Sequence, residues 1–239
     1  MLAWLAATEA DIVCVQEVRA TDEQTRAALA PALAEGWWLA NAEPESKGRA
    51  GVAILSRREP HAVRIGFGSS EFDASGRYLE ADFGDVTVAS VYVHSGEAGT
   101  PRQDEKYRYL AELGTYLTTR TGEFVVSGDW NIAHTELDLK NWKGNLKSAG
   151  FLPDERAWID GLLAAGYVDV VRALHPGVEG PYSWWSYRGR AFDNDTGWRI
   201  DYQLARGELA TRAKQAVVER AAAYDQRWSD HAPVTVQYR

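Results

Sequence analysis

Between Gly51 and Val93 the chain passes through four short runs, 51 to 56 (GVAILS), 60 to 67, 77 to 83 and 86 to 93 (VTVASVYV), separated by Gly and Asp. Runs of that length rich in Val, Ile and aromatics, punctuated by turn residues, commit the stretch to an antiparallel meander with a face to bury. A short apolar strand, Asp11 to Gln16 (DIVCVQ), precedes it, and further strand-like runs stand at 123 to 127, 168 to 172, 181 to 186, 199 to 205 and 232 to 238. Helical periodicity is confined to a few windows. Residues 2 to 7 read as the tail of a helix, and Thr21 with Gln24 forms a capping box that opens a helix over 22 to 34. Thr100, Pro101 and Gln103 supply N-cap, first-turn proline and box partner for a helix near 102 to 119, with Leu110, Leu113 and Leu117 on one apolar face. Another helix covers 154 to 165 and stops at Gly166. Many short strands with few helices call for layers: an α/β (α+β) fold of two mostly antiparallel sheets packed face to face as a sandwich, flanked by helices. No linker, repeat or low-complexity segment interrupts the pattern, so a single domain over 1 to 239 is expected.

Charge narrows the partners. Lys and Arg number 26 against 34 Asp and Glu, a net charge of −8, which excludes a broadly basic nucleic-acid coat. A polyanion must meet local basic islands, and two stand out. KNWKGNLK at 140 to 147 carries Lys140, Lys143 and Lys147 with no acid, and YSWWSYRGR at 182 to 190 interleaves four aromatics with Arg188 and Arg190. No apolar run approaches the roughly 18 residues of a spanning helix, and no basic start followed by an apolar run marks a leader. A cytoplasmic monomer with no membrane partner is expected, nucleoid-associated if bacterial. The single cysteine, Cys14, lies in an apolar run, which favours a reducing compartment and a buried, inert thiol.

Several polar groups stand at strand ends: Glu17 after 11 to 16, Tyr92 late in 86 to 93, Asp129 and Asn131 after 123 to 127, Asp201 opening 199 to 205, and Asp230 with His231 before 232 to 238. If the last two strands run antiparallel to the first three, these ends meet on one edge. Taken singly, each acid caps a turn. Their agreement on one edge points to chemistry instead. Oxygen donors such as Glu17 and Asp230, with no His and Cys set to attract zinc, suit Mg²⁺ or Mn²⁺ together with phosphate oxygens. His231, oriented by Asp201, could stabilise charge on a phosphoryl oxygen, and Asp129 could position or deprotonate a water. Neither a nucleophile elbow nor a Gly-rich phosphate loop is visible, which weakens covalent catalysis and kinase chemistry.

The segments VCVQEV (13 to 18), GVAILSR (51 to 57), VYVHSG (91 to 96), SGDWNIAHTELDL (127 to 139), GWRIDYQLA (197 to 205) and SDHAPV (229 to 234) resemble, in this order, the exodeoxyribonuclease III type of apurinic/apyrimidinic endonuclease of the endonuclease/exonuclease/phosphatase superfamily. The resemblance implies that Glu17 is the principal metal ligand with Asp230 beside it, and that Asp129 activates or holds the attacking water. It implies that Asn131 orients the scissile phosphate, that His231 contacts it with Asp201 as orienting partner, and that Tyr92 lies beside it. Trp184, Trp198 and Ile200 match the pocket that holds a flipped-out abasic sugar. The segment around Asn141 and Asn145 matches a DNA-contacting loop, to which Lys140, Lys143, Lys147, Ser95 and Arg188 would add phosphate contacts.

Two departures stand beside the resemblance. The chain begins inside the first helix, without the family's usual first strand and its supporting asparagine, and Ser95 occupies a position where relatives carry a longer amide. The expected activity is metal-dependent hydrolysis of the phosphodiester 5′ to abasic sites in double-stranded DNA, with 3′-to-5′ exonuclease or 3′-end cleaning. A phosphatase or phosphodiesterase relative acting on a small phosphate ester or lipid head group is the alternative, and a catalytically dead DNA-binding or protein-interaction module is a second.

Overall fold

The structure, a computed structural model, describes every residue except Lys47. It divides into two compact units, Met1–Tyr92 with Gly122–Gly128, and Val93–Thr121 with Asp129–Arg239.

The first unit contains α1 (Leu2–Ala7), β1 (Ile12–Gln16), α2 (Asp22–Ala34), β2 (Trp38–Ala42), β3 (Val52–Ser56), β4 (Ala62–Ile65), β5 (Tyr78–Asp82) and β6 (Thr87–Tyr92). All but the last residue of β7 (Phe124–Asp129) also belongs to it. In one sheet β3 lies between β1 and β2, with Ile54 opposite both Cys14 and Ala40. Strands β4, β5, β6 and β7 are neighbours in that order, with Arg64 opposite Glu80 and Glu80 opposite Ala89. The two sheets pack face to face. Ala40, Ala42, Val52 and Ile54 of the first meet Leu79, Ala81 and Val88 of the second and Phe83 just beyond β5. The alternate residues Leu39, Ala53 and Leu55 turn the other way, onto Leu5 of α1 and Leu29 and Ala32 of α2. Every residue of β3 is therefore buried, which is why VAILS reads as a continuous apolar run.

The capping box of α2 is present, with the Thr21 side chain accepting from Gln24 N and the Gln24 side chain from Thr21 N. The meander between 51 and 93 holds for β4, β5 and β6, whereas β3 joins the other sheet. Turn signals between strands are local, but which sheet a strand enters is decided by distant partners. Strand β2 goes unmarked in the sequence because WLANA mixes small and polar residues.

The second unit contains α3 (Pro101–Thr119), α4 (Pro153–Ala164), β8 (Val168–Asp169), α5 (Val170–Leu174), β9 (Asp201–Arg206), α6 (Leu209–Arg212), β10 (Ala213–Val218) and β11 (Val234–Tyr238). Thr100 caps α3 through Arg102 N, but Gln103 does not complete a box: its amide is buried and donates to Glu155 at 3.0 Å. Gln103, Lys106, Leu110, Leu113 and Leu117 form the buried stripe of α3. Helix α4 comes close at Gly114, where a Cβ would stand 2.8 Å from Trp158 Nε1, and that indole donates to Leu110 O at 2.7 Å.

Strands β8 and β9 pair antiparallel, as do β10 and β11. Only Val168 and Asp169 of the expected strand 168 to 172 are extended, because the Asp169 side chain caps α5 by accepting from Arg172 N at 3.0 Å. The expected strand at 181 to 186 is reduced to isolated bridges from Trp184 to Trp198 and to His231. Among the described residues, no helix is long and apolar enough to cross a membrane.

Candidate active site

In the first unit the chain leaves β1 through a turn in which Glu17 (φ 54°) and Arg19 (φ 53°) both adopt left-handed backbone. Bonds from Val18 N to Gly51 O and from Arg19 N to Ala50 O hold the turn. Such conformations cost about 1 to 3 kcal/mol each in non-glycine residues and cluster where geometry serves a function. The turn leaves the Glu17 carboxylate part-exposed, accepting the Tyr92 phenol and facing Arg19 at 2.8 Å. Arg77 stacks on the Tyr92 ring, 4.8 Å from its centroid. Gly128, just before Asp129, has φ 151° and passes so close to β6 that a Cβ would stand 1.9 Å from Val91 O, so glycine is required there.

The second unit brings together the other candidates. Asp129 is buried, and its two oxygens accept from Asn131 N at 2.8 Å and Asn131 Nδ2 at 3.0 Å. Asn131, with φ 49°, also donates to Val93 O at 2.9 Å. His231 Nδ1 contacts Asp201 at 2.9 Å, and its Nε2 faces Asp129 Oδ2 at 3.8 Å. Burial alone would lower the imidazole's pKa, but Asp201 and then the Asp129 and Asp230 charges outweigh it and raise it to about 10. Asp230 accepts from Trp184 Nε1 at 3.0 Å. Trp184 and Trp198 meet edge to face with centroids 6.3 Å apart, both half-buried against Ile200, Leu139 and Phe151. The result is a notch of aromatic edges next to a hydrogen-bonded carboxylate. Ile200 is 5% exposed and forms the floor of this cluster.

The expected DNA contacts are surface groups with partners of their own. Ser95 is exposed and its carbonyl accepts from Lys106 Nζ at 3.4 Å. The basic island is less bare than its sequence suggests, since Glu179 pairs with Lys140 and raises its pKa. Lys143 lies over the Trp142 ring at 5.4 Å, Asn145 Nδ2 donates to Asn141 O at 2.9 Å, and Lys147 and Arg188 are exposed.

Residues 1–231 match the profile described as Endonuclease/Exonuclease/phosphatase family. The chain belongs to that family. It is 37% identical over 235 residues to an exodeoxyribonuclease of Bacillus subtilis, covering 98% of this chain and 90% of the other. With the DNA repair nuclease APEX1 of Danio rerio it shares 34% identity, covering 98% of this chain and 75% of that one. Among solved structures, the 3′-5′ exonuclease NExo of Neisseria meningitidis superposes with a TM-score of 0.90 at 32% identity, covering 99% of this chain and 92% of that one. An AP endonuclease of Archaeoglobus fulgidus does so with 0.86 at 28%, with the same coverage of 99% and 92%. This family member is a phosphodiester hydrolase of the DNA-repair nuclease kind.

Family members of this type use a divalent metal, and the donor chemistry here fits a hard ion. Glu17 offers a part-exposed carboxylate, and Asp230 offers another. Among the described residues no group of three or more His, Cys, Asp and Glu is spaced to enclose an ion. Mg²⁺, which keeps several waters and takes only one or two carboxylates, needs no such cage.

Two buried ion pairs escape a reading of the sequence. Lys106, fully buried, reaches Glu155 at 2.6 Å and Asn131 O at 2.9 Å, so an ammonium supports the backbone that carries Asn131. Burial lowers the lysine's pKa, and Glu155 opposes this. Its spacing on the stripe with Gln103, Leu110 and Leu113 was the available signal. Arg199, between Trp198 and Ile200, is buried against Asp138 at 2.7 Å and Asp169 at 2.8 Å. Arg199 N also donates to Asp138 O at 2.7 Å, which fastens the notch-bearing segment to the loop after β7.

Proposed function

We propose that this enzyme hydrolyses the phosphodiester 5′ to abasic sites in double-stranded DNA and removes nucleotides or blocking groups from 3′ ends. The observation that carries this reading is the Asp201–His231 contact, with His231 Nε2 facing an Asn131-bonded Asp129 across 3.8 Å. An imidazole fixed at Nδ1 presents its other N–H to an oxygen on which charge develops. Asp129, held by two Asn131 donors, positions a water and accepts its proton, and Asn131 then steers the phosphate. Tyr92 donates to Glu17 and orients that carboxylate. Glu17 would be a protein donor to Mg²⁺ or Mn²⁺, which would supply charge neutralisation at a phosphate oxygen.

The Trp184 and Trp198 edges over Ile200 suit a compact, base-free deoxyribose, and an intact base would meet the rings. Lys143, Lys147, Asn141 and Arg188, with Lys140, Asn145 and Ser95, would hold the duplex by its phosphates without reading sequence. The family profile spans most of both units, which supports reading residues 1 to 239 as one functional domain. A relative acting on a small phosphate ester would have no use for the notch. The test is digestion of a duplex carrying one tetrahydrofuran abasic analogue, with Mg²⁺ and with EDTA. Metal-dependent cleavage at the analogue is expected. Turnover of small phosphate esters with no cleavage of that duplex would overturn the reading.

A further inference from the structure

Among the described residues the strongly exposed aromatics are three, Tyr187 at 54%, Trp228 at 52% and Tyr224 at 44%, and each contacts or adjoins Arg227. Arg227 lies between the two tyrosines. Its guanidinium carbon lies 4.6 Å from the Tyr187 ring centroid and 4.2 Å from that of Tyr224, and Trp228 is the next residue. Arg227 is itself tied down by donating to Trp185 O at 3.1 Å, so the rings stand on a fixed support. The patch adjoins the active-site residues. Arg227, Trp228, Ser229 and His231 line one shallow surface depression, and Trp185 N donates to Asp230 O at 3.0 Å.

Exposed aromatic rings clustered around an arginine are a costly surface to leave in water unless something covers them. Duplex DNA is a poor occupant, because its base faces are already stacked on one another. A single strand or a frayed end offers free π-faces, and each base stacked on an aromatic side chain gains binding without regard to sequence. The neighbouring charge suits a polyanion. Arg188 follows Tyr187 directly, is exposed and, among the described residues, takes part in no ion pair.

We propose that Tyr187, Tyr224 and Trp228 form a stacking shelf for unpaired nucleobases of a DNA strand held beside the His231 edge. The shelf deepens the nuclease reading on which it rests. It would let the enzyme grip frayed or single-stranded 3′ ends in addition to intact duplex.

The test is binding rather than cleavage. A fluorescein-labelled oligothymidylate of about sixteen residues and a blunt duplex of equal length are titrated in EDTA, with anisotropy as the readout. Trp228→Ala and Tyr187→Ala should each weaken oligothymidylate binding about tenfold, the size expected for one lost stacking contact. Trp228→Phe should retain most of the affinity, and duplex binding should change less than about twofold. The slope of affinity against salt should stay unchanged, since no phosphate contact is removed. Circular dichroism of these surface variants shows whether the fold is kept. Unchanged oligothymidylate affinity in both alanine variants, or equal losses on single strand and duplex, would overturn the shelf. Because no step of this measurement needs catalysis, an enzyme that failed to cut the abasic duplex would refute the nuclease reading while the anisotropy result judged the shelf separately.

Discussion

The Asp201 carboxylate contacts Nδ1 of His231 at 2.9 Å, and this contact fixes the orientation of the ring and leads the carboxylate charges that keep it protonated. With the pKa raised to about 10, the imidazole keeps its proton through the neutral range and can donate to a phosphate oxygen. His231→Ala and Asp129→Asn should each lower turnover by ~100-fold or more, with DNA affinity little changed. Steady-state rates and anisotropy on the same preparations check this. A variant that kept more than about a tenth of its activity would remove that residue from the chemistry.

The buried Lys106–Glu155 pair, 2.6 Å apart with Nζ also on Asn131 O, predicts a large and asymmetric mutational response. Lys106→Met leaves Glu155 charged and without its cation in the interior, held only by the Gln103 amide and the Gly150 and Leu152 N–H groups, at a cost of about 3 to 5 kcal/mol. The double variant Lys106→Met, Glu155→Gln, which removes the charge but keeps an acceptor for the Gln103, Gly150 and Leu152 donors, should recover much of that loss, while the catalytic rate stays depressed because the Asn131 carbonyl has lost its support. Urea denaturation paired with turnover measures both. Full recovery of rate in the double variant would show that the lysine holds the fold and nothing more.

Asp138 supplies a pH dependence with a definite sign. Burial pushes its carboxyl up, but Arg199 and then Arg172 more than offset this and hold the pKa at about 2, below the ordinary 3.8. A carboxyl with a depressed folded value contributes stability that is fully present above its unfolded pKa and is lost as pH falls through the folded one. The loss attributable to Asp138 should therefore develop between about pH 4 and pH 2 and amount to about 2 kcal/mol. Denaturation midpoints of wild type and Asp138→Asn across that window would converge if the assignment holds, and parallel curves would refute it.

What the sequence made legible was whatever depends on neighbours along the chain. The capping box at Thr21 and the leucine stripe of α3 follow from spacing alone. Lys106 sits on that same stripe, yet a lysine there reads as solvated until Glu155, far along the chain, is known to face it. At Asp169 the run VDVV looks like a strand, and the same aspartate caps a helix instead. Trp184, Trp198 and Asp230 could be named from motifs, but the indole-to-carboxylate bond that joins two of them depends on how distant segments meet. Lys140 looked unpaired because its partner, Glu179, lies 39 residues away.

That pairing refines the expectation for the basic island. Replacing Lys140, Lys143 and Lys147 with Ala should weaken DNA binding irrespective of sequence and reduce the salt slope by about two phosphate contacts rather than three. Lys140 already spends its charge on Glu179, so Lys140→Ala alone should change the slope least. Binding titrations between about 50 and 200 mM salt measure it. An unchanged slope in the triple variant would place this loop away from the duplex.

The notch decides between an abasic-site nuclease and an enzyme for small phosphate esters. Trp198 packs edge to face on Trp184 and lies against Gly150, whose added Cβ would stand 3.3 Å from the indole, so it is held firmly and yet stays half-buried. If the ring contacts only an extruded sugar, Trp198→Ala should impair cleavage at a tetrahydrofuran analogue far more than hydrolysis of an activated phosphodiester, which needs the metal, Glu17, Asp129 and His231 but no sugar contact. A purely structural tryptophan predicts something else. Truncating a well-buried Trp costs about 3 to 5 kcal/mol, which would lower the melting midpoint and both rates together. Both rates and the midpoint, measured on one preparation of Trp198→Ala, separate the two cases. Equal losses on the two substrates would end the assignment of Trp198 to abasic-site recognition.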